Sequence, residues 1–233
     1  MKTVQRFWSA FSHLFYPHVC AGCGSDALPQ NSELCLSCLH GLPVTGFEDN
    51  ARNPIEKIFS GRIRVEEACA HYYFSKQSAM QHILHQVKYG GNRALAQQLG
   101  VAQGAALKRS SRFSSIDLIV PMPLFIARER ERGYNQALVL CGGIASVIDR
   151  PVCAKLVYRS QATATQTKKN RIDRWNNIQG KFSVPDGAPA ANRHLLLVDD
   201  VVTTGATLEA CGNVLLKIPG VKLSIAVLCF ASD

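Results

Sequence analysis

Two adjacent carboxylates, Asp199 and Asp200, follow the apolar run Leu195-Leu196-Leu197-Val198. Two valines come next, and then Thr203, Thr204, Gly205, Ala206 and Thr207. A continuous apolar run predicts a strand buried on both faces. Adjacent acids inside such a sheet would each carry a heavy desolvation cost, so they mark the strand's carboxyl edge. The Thr/Gly loop then feeds a helix expected from about Thr207 to Lys217. The free amides of its first turn and three hydroxyls would face an anion. Acids beside a phosphate cradle suit a ligand that carries hydroxyls next to a phosphate, as a sugar phosphate does.

A second chemistry lies near the start of the chain. Cys20-x-x-Cys23 and Cys35-x-x-Cys38 are separated by eleven residues. Each pair turns two sulfurs toward one point, and two pairs supply four soft ligands in the tetrahedral geometry of a closed structural Zn²⁺ site. Two disulfides or an iron-sulfur centre would use the same residues. A redox pair of the thioredoxin kind would need a strand and helix context that is absent here. His18 and His40 flank the cysteines and read as solvent-facing groups. His82 and His85 sit three apart on a predicted helix with no third ligand in view, and they also read as surface residues. His71 reads as packed or at an edge.

The elements that must position these groups follow from periodicity. Strands are expected at 68–74, 116–120, 152–158 and 222–230, and helices at 78–87, 93–108 and 134–147. The run Pro121 to Pro123 ends the second strand, because proline does not fit within a central strand. Arg128, Arg130 and Arg132 alternate after it and would share one side of an extended loop, whereas on a helix they would splay, and the interleaved Glu129 and Glu131 favour such a solvated helical face. Gly133 then starts the next helix, a second anion-competent N-terminus. Lys88-Tyr89-Gly90-Gly91 breaks the helix before it and places a lysine where it could reach an anion. The stretch 159–181 is polar, with seven basic residues between Lys155 and Lys181, and has the length of a functional lid.

Strands alternating with helices predict an α/β fold with a mostly parallel sheet flanked by helices. The expected division is a helix and double-Cys-x-x-Cys subdomain over 1–45, a linker with little regular structure over 46–64, and the main domain over 65–233. A length of 233 residues, with 47% hydrophobic and 18% charged residues, is enough for one sizeable core and an appendage. The net charge of +9 favours phosphorylated small molecules, nucleic acid or an anionic membrane surface. No apolar run is long enough to span a bilayer. The first residues read as a short amphipathic helix and not as a signal peptide. Nine cysteines, five of them scattered singly, suit a reducing cytoplasm. A Walker-type NTPase is excluded, since no Gly-x-x-x-x-Gly-Lys-Ser/Thr loop exists in the chain.

The stretch Leu195–Thr207 resembles the phosphoribosyl pyrophosphate signature of type I phosphoribosyltransferases. With it stand the cysteine pairs, Lys88-Tyr89-Gly90, Pro121-x-Pro123-Leu124, Arg132-Gly133-Tyr134-Asn135-Gln136, Arg159-x-x-x-Thr163-x-x-Gln166 and Arg174-x-x-Asn177. In this order they resemble the ComF/GntX family, competence proteins with an amidophosphoribosyltransferase-like domain and an N-terminal zinc knuckle. The resemblance implies a type I phosphoribosyltransferase-like fold. It implies that Asp199 and Asp200 hold the ribose hydroxyls, directly or through Mg²⁺, and that Thr203, Thr204, Gly205, Ala206 and Thr207 wrap the 5-phosphate. Pro123, Arg128, Arg130, Arg132 and Gly133 become a pyrophosphate loop. Arg159, Thr163, Gln166, Arg174 and Asn177 become a lid, and Cys20, Cys23, Cys35 and Cys38 a structural zinc site. The implied role is natural transformation, with single-stranded DNA and an uptake machinery at the inner membrane as partners and a cytoplasmic or peripheral location. Phosphoribosyl transfer, and a non-catalytic role in binding phosphoribosyl pyrophosphate or a related nucleotide, both fit the same residues.

Overall fold

The computed structural model describes residues 18–29, 32–159 and 182–231. The helix expected at the N-terminus lies outside these residues. Among them, four strands form a sheet in the order β1-β6-β5-β2: β1 (Ala68–Phe74), β6 (Lys222–Ala231), β5 (His194–Val202) and β2 (Leu118–Pro121). Every pairing is parallel, in register from Leu118↔Leu195 through Leu197↔Ile225 to Ala226↔Cys69. Successive side chains on a strand point to opposite faces. Leu195 to Val198 are all fully buried, so both faces of β5 are covered, as the apolar run requires.

The covering helices are α3 (Ala79–Tyr89), α4 (Arg93–Arg109), α6 (Gln136–Ile148) and α7 (Ala206–Leu215). α3 buries Met80, Ile83, Leu84 and Val87 at helical spacing, and its N-cap Ser78 accepts from the Gln81 amide. His82 and His85 are exposed on its other side, as read from the pattern. α4 and α6 pack against each other, and α6 also packs on β5 and β2. His71 is buried, with Nδ1 2.6 Å from the Glu48 carboxylate, which is the packed alternative of the two readings.

Three expectations are corrected. The segment 46–64 is folded and carries α2 (Pro54–Phe59), with Ile55 and Phe59 buried. Asn53 caps this helix through the Ile55 and Glu56 amides and donates to the Ala68 carbonyl of β1 at 2.7 Å. Arg112 pairs with both Glu56 and Glu67 and fixes the segment from the other side. Gly and Pro density here marks tight turns around a short helix, not a flexible connector. The strand expected over 152–158 reduces to a bridge at Val152 and a two-residue strand β3 (Tyr158–Arg159) paired with β4 (Phe182–Ser183). Leu156 and Val157 bury their side chains without joining the sheet. The arginine segment is a helix, α5 (Ile126–Arg132), and not an extended loop. The interleaved glutamates support that state, because Arg128 with Glu131 and Glu129 with Arg132 stand three apart with opposite charges, a spacing that stabilises a helix.

Near the N-terminus, α1 (Leu36–Gly41) starts from Cys35 as its N-cap and carries Cys38 in its first turn. Leu34, Cys20 and Cys35 are buried and continuous with the main core. Among the described residues, no helix is long and apolar enough to cross a membrane.

Candidate functional site

The neighbouring parallel strands β2 and β5 both end at one side of the sheet. Their following loops wall a cavity of about 650 Å³. Crevices at the carboxyl ends of parallel strands are where α/β sheets bind ligands. β2 contributes Met122, Pro123, Leu124 and Phe125 to the wall, and β5 contributes Asp199 to Thr204.

β5 continues past its β2 partner, with Asp199 opposite Val227 and Val201 opposite Cys229 of β6. The two acids therefore stand within the last residues of the strand, not after it. Asp199 accepts from the Asp200 amide at 2.9 Å. Burial, then the charge of Asp200, pushes the Asp199 carboxyl up to about 8, against the pull of that amide, Lys88 and Arg159. Asp200 pairs with Lys88 Nζ at 3.2 Å. Lys88 comes from the last turn of α3, so the Lys88-Tyr89-Gly90 stretch does reach the site.

The loop after β5 turns at Gly205, which has a φ of 73° and is the N-cap of α7. This conformation favours glycine, which has no Cβ to clash. No side chain caps α7, so among the described residues its first amides meet no capping group. Thr203, Thr204, Gly205, Ala206 and Thr207 all line the cavity. Uncapped first-turn amides and the positive end of the helix dipole suit an anion.

Across the cavity, Arg128 and Arg132 of α5 line the wall one turn apart. Arg130 does not, because two residues along a helix turn it to the far side. Gly133 lies off the wall as well. Its φ of 75° makes it the C-cap that ends α5, while Asn135 begins α6 by accepting from the Ala137 amide at 3.0 Å. Arg132 donates to Gln136 Oε1 at 2.9 Å and lies over the Tyr89 ring. Tyr134 donates its hydroxyl to the Val87 carbonyl of α3, so this motif braces the turn that carries Lys88. Arg159 sits between the rings of Phe125 and Phe182, 5.7 and 5.4 Å from their centroids. Burial, then the charge of Arg128, lowers its pKa from the usual guanidinium range. Thr163, Gln166, Arg174 and Asn177 lie outside the described residues.

The cavity thus unites Pro123, Arg128, Arg132, Arg159, the acid pair and the loop 203–207. The wall also holds Phe125, Asn135 and Gln136. Asn135 and Gln136 belong to the motif Arg132-Gly133-Tyr134-Asn135-Gln136, but nothing in the local sequence singles out Phe125.

The four cysteines of the N-terminal pairs meet, with their sulfurs all within 4.8 Å of one another. The Cys23 and Cys35 sulfurs are 3.7 Å apart. A tetrahedron with Zn–S of about 2.3 Å has edges of about 3.8 Å, so the cluster could bind zinc. The Cys35 amide donates to Cys20 Sγ at 3.2 Å and the Cys38 amide to Cys35 Sγ at 3.4 Å. Burial raises the Cys20 thiol, but amide bonds from Cys35, Cys23 and Gly22 outweigh it and bring Cys20 down to about 6. A Cβ at Gly22 would lie 2.9 Å from Cys38 Sγ, so the first knuckle closes only around glycine.

The DNA utilization protein YhgH of Escherichia coli strain K12 is 29% identical over 214 residues, covering 91% of this chain and 89% of the relative. Competence protein F of Haemophilus influenzae is 34% identical over 152 residues, 64% of this chain and 65% of that one. Competence protein ComFC of Bacillus subtilis is 35% identical over 100 residues, 43% and 38% of the two chains. No protein-family model matches. Among solved structures, adenine phosphoribosyltransferase of Saccharomyces cerevisiae superposes with a TM-score of 0.40 and 17% identity, over 61% of this chain and 72% of that one. A hypoxanthine phosphoribosyltransferase of Staphylococcus aureus gives 0.37 and 16%, over 67% and 73%.

Proposed function

We propose, for a chain that is a homologue of competence protein F, ComFC and DNA utilization protein YhgH, that its cavity binds phosphoribosyl pyrophosphate and that the protein serves DNA uptake. One observation carries the ligand: the acid pair, the uncapped loop 203–207 and the cations Arg128 and Arg132 wall the same cavity. Each matches one part of the molecule. The loop amides and the hydroxyls of Thr203, Thr204 and Thr207 take the 5-phosphate. Asp199 and Asp200 accept from the ribose hydroxyls. Arg128 and Arg132 take the pyrophosphate at the opposite wall, as guanidinium groups suit phosphate oxygens.

The same arrangement suits phosphoribosyl transfer. As the bond from the anomeric carbon to pyrophosphate lengthens, negative charge grows on the leaving group, and fixed guanidinium groups stabilise it without reorganising. Mg²⁺ bound with the ligand would be held by the acid pair and would add positive charge there. The four cysteines would hold a structural zinc with every position filled by sulfur, which leaves no open position for catalysis. Single-stranded DNA and an uptake machinery at the membrane are the partners in this reading, and the net charge of +9 favours both surfaces.

The test is thermal unfolding of the full chain with phosphoribosyl pyrophosphate and Mg²⁺. Saturation at about 100-fold above Kd should stabilise by about 2.7 kcal/mol, and the paired substitution Asp199→Asn with Asp200→Asn should abolish the shift. An intact protein whose melting temperature does not respond to the ligand overturns the reading.

A further inference from the structure

The loop 203–207 has a brace that belongs to none of the motifs. Arg62, just after α2, donates from Nη1 to the Thr204 carbonyl at 2.8 Å and to the Ile58 carbonyl at 3.0 Å. Its Nη2 pairs with Glu209 in the first turn of α7. Ile58 and Phe59 stand behind the loop as well. A Cβ on Gly205 would lie 2.6 Å from Ile58 Cγ2 and 3.0 Å from Phe59 Cε1. None of these three residues lines the cavity, so the loop is a thin wall between the brace and the ligand space.

The chemistry follows from peptide geometry. The Thr204–Gly205 peptide is trans, like every peptide bond described. In a trans peptide the carbonyl and the next amide point in opposite directions. The bond that holds the Thr204 oxygen toward Arg62 therefore turns the Gly205 N–H away from Arg62, to the cavity side. Glu209 fixes the guanidinium so that its donors stay aimed at the carbonyl.

We infer that Arg62, oriented by Glu209, is a positioning residue that presets the Gly205 amide for the ligand's 5-phosphate. It touches no part of the ligand and acts through the Thr204 peptide. The inference rests on the reading that this loop takes the 5-phosphate. Without Arg62, the glycine-containing peptide is free to rotate, and binding must then also restore its orientation.

The experiment is calorimetric titration of the full chain with two separate fragments, ribose 5-phosphate and inorganic pyrophosphate, each with Mg²⁺. Arg62→Met should weaken ribose 5-phosphate about tenfold, the scale of one charge-assisted hydrogen bond. Pyrophosphate should stay within about twofold, because its cations stand on the opposite wall. Glu209→Gln keeps the Thr204 bond but loosens the guanidinium, and it should give a smaller loss for the same fragment alone. Should Arg62→Met fail to fold, Glu209→Gln carries the comparison. Equal ribose 5-phosphate affinity in variant and wild type overturns the inference, and so does a matched loss of both fragments, which marks general damage. A wild-type chain that binds neither fragment instead overturns the ligand reading beneath it.

Discussion

Replacing Asp199 with asparagine should stabilise the ligand-free protein, and the gain should grow with pH. Asp199 sits beside Asp200 at the end of a buried strand, and burial with that neighbouring charge raises its carboxyl from 3.8 to about 8. A raised carboxyl keeps its proton in the folded state over a range where the unfolded chain has lost it. The folded state then binds more protons, so stability falls as pH rises from about 4 to about 8 and levels off above. Between pH 5 and pH 8 the window spans about three units at 1.36 kcal/mol each, a ceiling of roughly 4 kcal/mol. The two acids titrate as a pair, and the Lys88 and Arg159 charges oppose the rise, so about 2 kcal/mol is the working expectation. For a chain of this size that is roughly 4–8 °C in melting temperature. Scanning calorimetry of wild type and Asp199→Asn without ligand, at both pH values, reads the difference directly. Asp200→Asn should flatten the same slope in part, by removing the charge that adds to burial in raising Asp199. Parallel pH dependence in wild type and Asp199→Asn would refute this account of the acid pair.

Three further outcomes follow from single contacts. Gly22→Ala places a Cβ 2.9 Å from Cys38 Sγ. The purified variant should carry well below the roughly one zinc per chain expected of the intact four-sulfur site, as read by atomic absorption. Gly205→Ala meets both a positive φ and the Ile58 side chain. It should cost roughly 2–4 kcal/mol in chemical denaturation and remove the thermal response to phosphoribosyl pyrophosphate. Tyr134→Phe removes the hydroxyl that donates to the Val87 carbonyl. Leaving that carbonyl without its partner should cost about 1 kcal/mol in urea unfolding.

Much of the frame was legible because local signals agreed with the tertiary environment. The strand 68–74 matches β1 residue for residue, and Ser78 stands as the N-cap of α3. The apolar run before Asp199 reads as a strand covered on both faces, and β5 is one. The misreadings arose where two local signals competed. Asn53-Pro54 is a helix start, with a capping side chain and proline at the first position, but surrounding glycines and prolines masked it. Alternating arginines suggested an extended loop, although the glutamates between them already fitted a helix. At Gly133 a glycine before a helix pattern suggests that helix's start, but its positive φ ends the preceding one.

The part of the site that sequence could not show is its support. A motif names groups able to meet a ligand, but their aim depends on residues far away in the chain. Thr204 is held by Arg62, 142 positions earlier. Lys88 reaches Asp200 from a turn fixed on two sides. Tyr134 holds it through Val87, and Asn92, which caps the next helix, donates to Glu33 at 2.8 Å. Glu33 lies between the cysteine pairs, and its carbonyl accepts from Ala21 in the first knuckle at 2.9 Å. The knuckle therefore abuts the lysine's turn and does more than decorate the domain's edge. Such contacts join residues whose types are ordinary and whose spacing follows no period. They become visible only when the fold has brought the strand ends, the helix caps and the knuckle into contact.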